Sequence, residues 1–259
     1  MKNRKVTTIL GICLLTFALV GCGKKEGPTY VTPATADVAE ATLSKDAQTL
    51  YQYSWPEEGD LCADVEILDY GHIYIKLFKE DAEYAVDNFV QKAENGDYDG
   101  TLVSEAVNDY YVQAGAPLSD ATKEESIWGG GFSNEISEKL FTTRGAVCMA
   151  NQGTDGTNAM QFFFVTTEVS TINGLERPLT EHYGMSLEDY LASNYAVSLT
   201  DAQLQRFLTY GGAPWLYGHN TVFGQVFSGY DVMDQIEAAV LNGDEKLYVK
   251  KIVIYEYVD

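Results

Sequence analysis

The sequence predicts a mainly β fold: a closed antiparallel β-barrel with two capping helices and an inserted helical excursion. Three observations predict it. Short runs rich in β-branched and aromatic residues recur between Gly and Asn/Asp turn signals. Only two segments of that body carry apolar residues at helical spacing. One further stretch, 168–214, breaks the strand rhythm with helix-start signals. Many short strands with few helices suit a barrel plugged at its ends.

The elements follow in order. "CADVEILDY" and "IYIKLF" read as strands joined by a hairpin at Gly71-His72. In "DAEYAVDNFVQKAENG", Ala82, Ala85, Val86, Phe89, Val90 and Ala93 share one helix face, and Gly96 stops the helix. "TLVSEAV", "YYVQAGAP", "GAVCMA", "MQFFFVTT" and "TVFGQVF" read as strands, "DVMDQIEAAV" as the second amphipathic helix, and "KLYVKKIVIYEYV" as a closing strand. Within 168–214, Ser186 to Asp189 and Thr200 to Gln203 look like capping boxes, and Gly211-Gly212 gives a stop. Roughly 200 residues, 60–259, suit one domain.

The first residues concern location. Lys2, Arg4 and Lys5 precede an apolar run, Ile9 to Val20, short for a membrane span but suited to a signal-peptide core. Leu19-Val20-Gly21-Cys22 resembles the bacterial lipobox, so residues 1–21 are expected to leave and Cys22 to be lipidated, anchoring an extracytoplasmic protein to the membrane. Residues 22–59, with Pro28 and Pro33 and many charged residues, are expected to be a flexible tether. Loss of three of the 17 basic residues leaves 14 against 38 acidic, a balance of −24, which excludes nucleic acid as a partner. Cys62 and Cys148 remain in the domain. An extracytoplasmic site permits a disulfide, but sequence does not place the two within reach.

His72, His182 and His219 lack metal-ligand spacing. "NGDYDG" opens like a calcium loop, but Ala106 stands where the bidentate Glu belongs, so a surface turn is expected. No metal or other cofactor is expected, nor is a phosphate loop or nucleophile elbow present.

Three blocks, in order, resemble the cyclophilins, the peptidyl-prolyl isomerase family. "MANQGTDGTNAMQFFF" is similar to the family's Met-Ala-Asn, turn, Gln-Phe-Phe signature, with one extra turn residue. "YYVQAGAP" resembles the strand ending Gln-Gly-Gly-Asp, and "PWLYGHNTVFGQVFSGYDVMDQI" the Trp-Leu-Asp-Gly to Val-Phe-Gly block with its helix. The resemblance covers about 64–258 outside the insertion. It implies a cup for a proline ring, floored by Phe163 and walled by Tyr110, Tyr111 and Leu216, with Gln113 beside the peptide. It further implies that backbone at Asn151 pairs with the bound chain, that Ala150 and Gln161 line the next subsite, and that Trp215 flanks the mouth. An aromatic and aliphatic cup with a few amides suits a neutral, ring-bearing peptide. The implied partners are proline-containing segments of unfolded or secreted proteins, bound by a monomer.

One catalytic position departs from the pattern. Eight residues before the strand Gln the family carries a catalytic Arg; here Glu105 stands there, and no Arg occurs between Arg4 and Arg144. Asn220 takes the position of a family His, with His219 one earlier. Rotation about X-Pro loses amide resonance, a barrier of roughly 18–20 kcal/mol. The family Arg is thought to donate to the prolyl nitrogen as it becomes pyramidal; an ionised Glu only accepts. Two functions remain open: an isomerase that assists folding, weakened at Glu105, or a proline-peptide-binding module with little turnover. Arg177 and Arg206, in the insertion, could restore a donor by reaching over the cup.

Overall fold

The computed structural model describes residues 51–118, 125–244 and 246–258. The expected signal peptide, Cys22 and most of the tether lie outside them. Eight strands pair in the order β3-β4-β6-β5-β7-β2-β1-β8, every ladder antiparallel. They are β1 Leu61–Ile67, β2 Gly71–Leu77, β3 Leu102–Val107, β4 Tyr111–Ala116, β5 Ala146–Met149, β6 Phe162–Val165, β7 Val222–Ser228 and β8 Val249–Glu256.

Register shifts interrupt four ladders, between β1 and β8, β2 and β7, β3 and β4, and β5 and β7. Such bulges bend strands and increase twist, and so curl a sheet. The edges, β3 and β8, meet only where β8 begins. There Leu102 bridges Tyr248, Val103 N–H donates to the Leu247 carbonyl at 2.9 Å, and Val249 N–H donates to Thr101 at 2.9 Å. The closed barrel expected from the strand count is therefore corrected to a curled half-barrel whose edges touch at one corner.

The hairpin turn also differs from expectation. Ile67 pairs with Gly71, so the loop is Leu68-Asp69-Tyr70, with Asp69 left-handed at φ 67°. Gly71 opens β2 instead of forming the turn. The two expected capping helices form: α1 over Glu83–Glu94, burying Ala85, Val86, Phe89 and Ala93, and, as the last helix, α5 over Tyr230–Leu241, burying Val232, Met233 and Ile236. Both pack on the concave face, where Ile73, Ile75, Phe162, Phe164 and Phe223 form the main core.

Three α-helices, not two, fill the insertion: α2 Val169–Pro178, α3 Leu187–Tyr195 and α4 Asp201–Tyr210. The Thr200–Gln203 box is reciprocal, whereas Ser186 only accepts from the Asp189 N–H. The helix missed in the sequence, α2, has no side-chain cap of its own. Its cap is Asp109, in the β3–β4 turn, which accepts from the Glu168 N–H at 2.7 Å and from the Thr171 hydroxyl. These helices carry their own core, with Phe141, Ile172, Leu191, Leu204 and Phe207 buried. The chain returns to the sheet through Gly212, where a Cβ would lie 2.3 Å from Thr143 Cα, so only glycine permits that crossing.

Residues 51–59, which fall in the stretch 22–59 expected to be a tether, are docked on the domain. Gln52 is buried; its amide donates to the Phe141 carbonyl and to Gln225 Oε1, both at 2.8 Å, and its own Oε1 accepts from the Phe141 N–H at 2.8 Å. Tyr53 stacks on Tyr210 of α4 at 4.1 Å, and Trp55 meets Phe227 edge-on at 5.1 Å. Cys62 and Cys148 are free and buried, on strands separated by β7 and β2; burial pushes the Cys62 thiol up to about 11 and Cys148 higher still.

Candidate active site

A row of residues crosses the sheet on its outer face. Glu105 on β3 pairs with Gln113 on β4, Gln113 with Phe163 on β6, and Phe163 with Cys148 on β5. Directly opposed residues project to the same face. Strand alternation then explains the Phe run: Phe162 and Phe164 point into the main core, and Phe163 points the other way. Phe163 sits over Cys148, Ala146, Val165, Val222 and Phe78, with Tyr110, Tyr111, Ala150, Trp215 and Leu216 around it.

This arrangement leaves an open cavity of about 770 Å³. Of the residues singled out in the sequence, Tyr110, Tyr111, Gln113, Ala150, Asn151, Phe163, Trp215, Leu216 and Asn220 line it. Gln161 and Glu105 do not. Gln161 is buried behind the wall, where its Oε1 accepts from Gln113 Nε2 at 2.8 Å and so fixes the direction of the Gln113 amide. Glu105 is exposed at the rim, and its carboxylate accepts from the Tyr111 hydroxyl at 2.8 Å. Burial first, and then this bond, push the Tyr111 phenol far above its usual range, so it stays protonated with its hydrogen committed to Glu105.

The aromatic wall is continuous. Tyr111 lies 5.5 Å from Phe163, Tyr110 4.8 Å from Tyr111, and Trp215 5.4 Å from Tyr110. Burial raises the Tyr110 phenol, partly offset by a hydrogen bond from Trp215. On the opposite bank the Asn151 amide donates to Asn134 Oδ1 at 3.2 Å and to the His219 carbonyl at 3.1 Å, while Asn220 Nδ2 holds the Met149 carbonyl at 3.2 Å.

Among the described residues, no Lys or Arg lines the cavity. Arg177 pairs with Glu181 at 2.8 Å, and Arg206 lies 4.2 Å over the Phe141 ring, so neither reaches over the cup to restore a donor. Arg144 pairs with Glu168 and Asp234, each at 2.7 Å. Sequence reasoning missed Asn134, Tyr195 and His219 as cavity residues. Asn134 and Tyr195 sit in segments without a motif; the one available signal was that His219 adjoins Asn220.

Comparison with known proteins shows the family and the fold. The model of the family described as "Cyclophilin type peptidyl-prolyl cis-trans isomerase/CLD" matches residues 62–184 and 191–258. A Staphylococcus aureus protein (strain COL) named "Putative peptidyl-prolyl cis-trans isomerase" is 34% identical over 176 residues, covering 68% of this chain and 81% of that protein. A Staphylococcus epidermidis protein of the same name is 32% identical over 184 residues, with the same coverage. The crystal structure of a Cryptosporidium parvum cyclophilin type peptidyl-prolyl cis-trans isomerase superposes with a TM-score of 0.55 at 21% identity, covering 77% of this chain and 99% of that one; a second, in the presence of the dipeptide Ala-Pro, gives 0.54. The chain belongs to the cyclophilin-type peptidyl-prolyl cis-trans isomerase family.

Proposed function

We propose that this protein binds proline-containing segments of extracytoplasmic proteins in the Phe163 cup, assisting their folding, and turns them over slowly for its family. The observation that carries the reading is the row Glu105–Gln113–Phe163. Glu105 opposes Gln113 and Gln113 opposes Phe163, so a carboxylate bonded to Tyr111 stands at the rim of the row that holds the cup floor, and among the described residues no Lys or Arg lines the cavity; this supports a cup without a strong donor to the prolyl nitrogen. The cup favours the ring by apolar contact. Full burial of a side chain of that size contributes roughly 1.5–3 kcal/mol. Gln113, its amide set by Gln161, and the Asn151 bank supply hydrogen bonds to peptide groups. A twisted X-Pro bond gains little more than a planar one from this cup, because only interactions stronger in the transition state accelerate. The Leu19-Val20-Gly21-Cys22 string supports a lipid anchor at Cys22 outside the cytoplasm, where unfolded secreted chains are the partners at hand.

Titration of the protein with an Ala-Pro peptide, followed by heteronuclear NMR, tests the cup apart from catalysis. Shifts are expected at Gln113, Asn151 and Trp215, with affinity lowered about tenfold or more in Phe163→Ala. Absence of shifts at those residues would end the reading. A protease-coupled assay tests turnover: a rate equal to that of an Arg-bearing cyclophilin would overturn the second half of the proposal.

A further inference from the structure

The cup has one wall that the half-barrel does not supply. Tyr195, the last residue of α3, lines the cavity next to Trp215, with ring centroids 6.3 Å apart. Tyr110, Trp215 and Tyr195 thus form a series of rings running outward from Phe163. Trp215 packs both on the cluster around Phe163 and on the core of the insertion, so it joins the two. Tyr195 is half-buried and held from three sides. Tyr190 approaches its ring edge-on at 5.9 Å and is hydrogen-bonded to its side chain. Its carbonyl is held by His219 Nε2 at 2.9 Å. Ala196, left-handed at φ 56°, ends the helix immediately after it. The same His219 accepts at its own carbonyl from Asn134 and Asn151, at 3.0 and 3.1 Å. One residue therefore fixes both banks of the cavity relative to each other.

Resting on the reading that the cup takes X-Pro segments, we propose that Tyr195 is a specificity-determining residue. With Trp215 it forms a subsite for an aromatic or large apolar side chain flanking the proline, at the wall that Trp215 shares with Tyr110 and Tyr195. Pre-set rings offer edge and face contacts without loss of rotamer freedom on binding. Both are neutral, so the subsite selects by shape and apolar surface.

The test uses the full chain and short acetylated, amidated peptides containing Ala-Pro. Each carries Phe or Gly at the residue before or after the dipeptide, and binding is followed by NMR. Wild type is expected to prefer Phe over Gly about three- to tenfold on one flank. Tyr195→Ala is expected to abolish that preference; Tyr195→Phe is expected to keep it. Persistence of the preference in Tyr195→Ala overturns the proposal. So does equal loss in both variants, or loss of Gly-peptide binding in both, since the residue would then be a prop of the insertion. Wild type that binds Gly peptides without any Phe preference removes this inference alone. Wild type that binds no peptide removes the cup reading and this inference with it.

Discussion

Replacing Glu105 by arginine is expected to raise kcat/KM for an X-Pro peptide about 10- to 100-fold. As the bond twists, the prolyl nitrogen regains its lone pair and becomes an acceptor. Arginine carries five N–H donors and no acceptor, whereas an ionised Glu offers only lone pairs. A charge-assisted hydrogen bond contributes roughly 1.5–3 kcal/mol, and about 1.4 kcal/mol corresponds to tenfold in rate. The backbone need not move, because Glu105 already opposes Gln113, which opposes Phe163. The substitution also releases the Tyr111 hydroxyl from its bond to the carboxylate. The gain should fall on kcat, with KM little changed, since the new contact strengthens only as the nitrogen pyramidalises. Glu105→Gln removes the charge and offers a neutral donor on a shorter side chain; a smaller rise is expected. A protease-coupled assay measures all three proteins. An unchanged rate in Glu105→Arg would shift the cause to Val103, Ser104 or Asn220.

Replacing Gln52 by leucine is expected to lower folding stability by about 2–4 kcal/mol, read from urea or thermal unfolding. The side chain is 1% exposed and makes one bond in each direction with the Phe141 backbone, plus one to Gln225. Leucine leaves the Phe141 N–H and carbonyl and the Gln225 oxygen buried without that partner, at about 1–3 kcal/mol for each group that stays unsatisfied. Three parts of the molecule meet there: the segment leading in from residue 51, Phe141 in the core of the insertion, and Gln225 on β7. A protein cut to begin at Asp60 is expected to lose at least as much. A loss below about 0.5 kcal/mol, the level of an ordinary surface change, would show that the docked segment is incidental.

Most strands were legible in the sequence because apolar residues alternate and Gly or Asn marks their ends, and α1 and α5 because their apolar faces are regular. What was not legible depends on partners far along the chain. The cap of α2 is Asp109, 59 residues before Glu168, and no local pattern carries that. Gly71 resembles a turn residue, but its φ of 128° serves the start of a strand, where a Cβ would press on Val232 at 3.3 Å. The docking of Gln52 is hidden in a stretch that reads as polar linker. In the cup, the aromatic and amide residues of the sheet were readable as blocks. Asn134, Tyr195 and His219 were not, because two loops and the end of α3 are brought to the rim by the insertion and by the curl of the sheet. Glu105 was singled out by counting along the chain; the ladder pairs it with Gln113, and its side chain stops at the rim.

The alternation of Phe162, Phe163 and Phe164 has a practical reach. Two of the rings are keystones of the interior, and the one between them faces the cavity. Evolution, or a mutagenesis library confined to that single codon, can reshape the floor of the cavity while the two interior rings on either side keep their places.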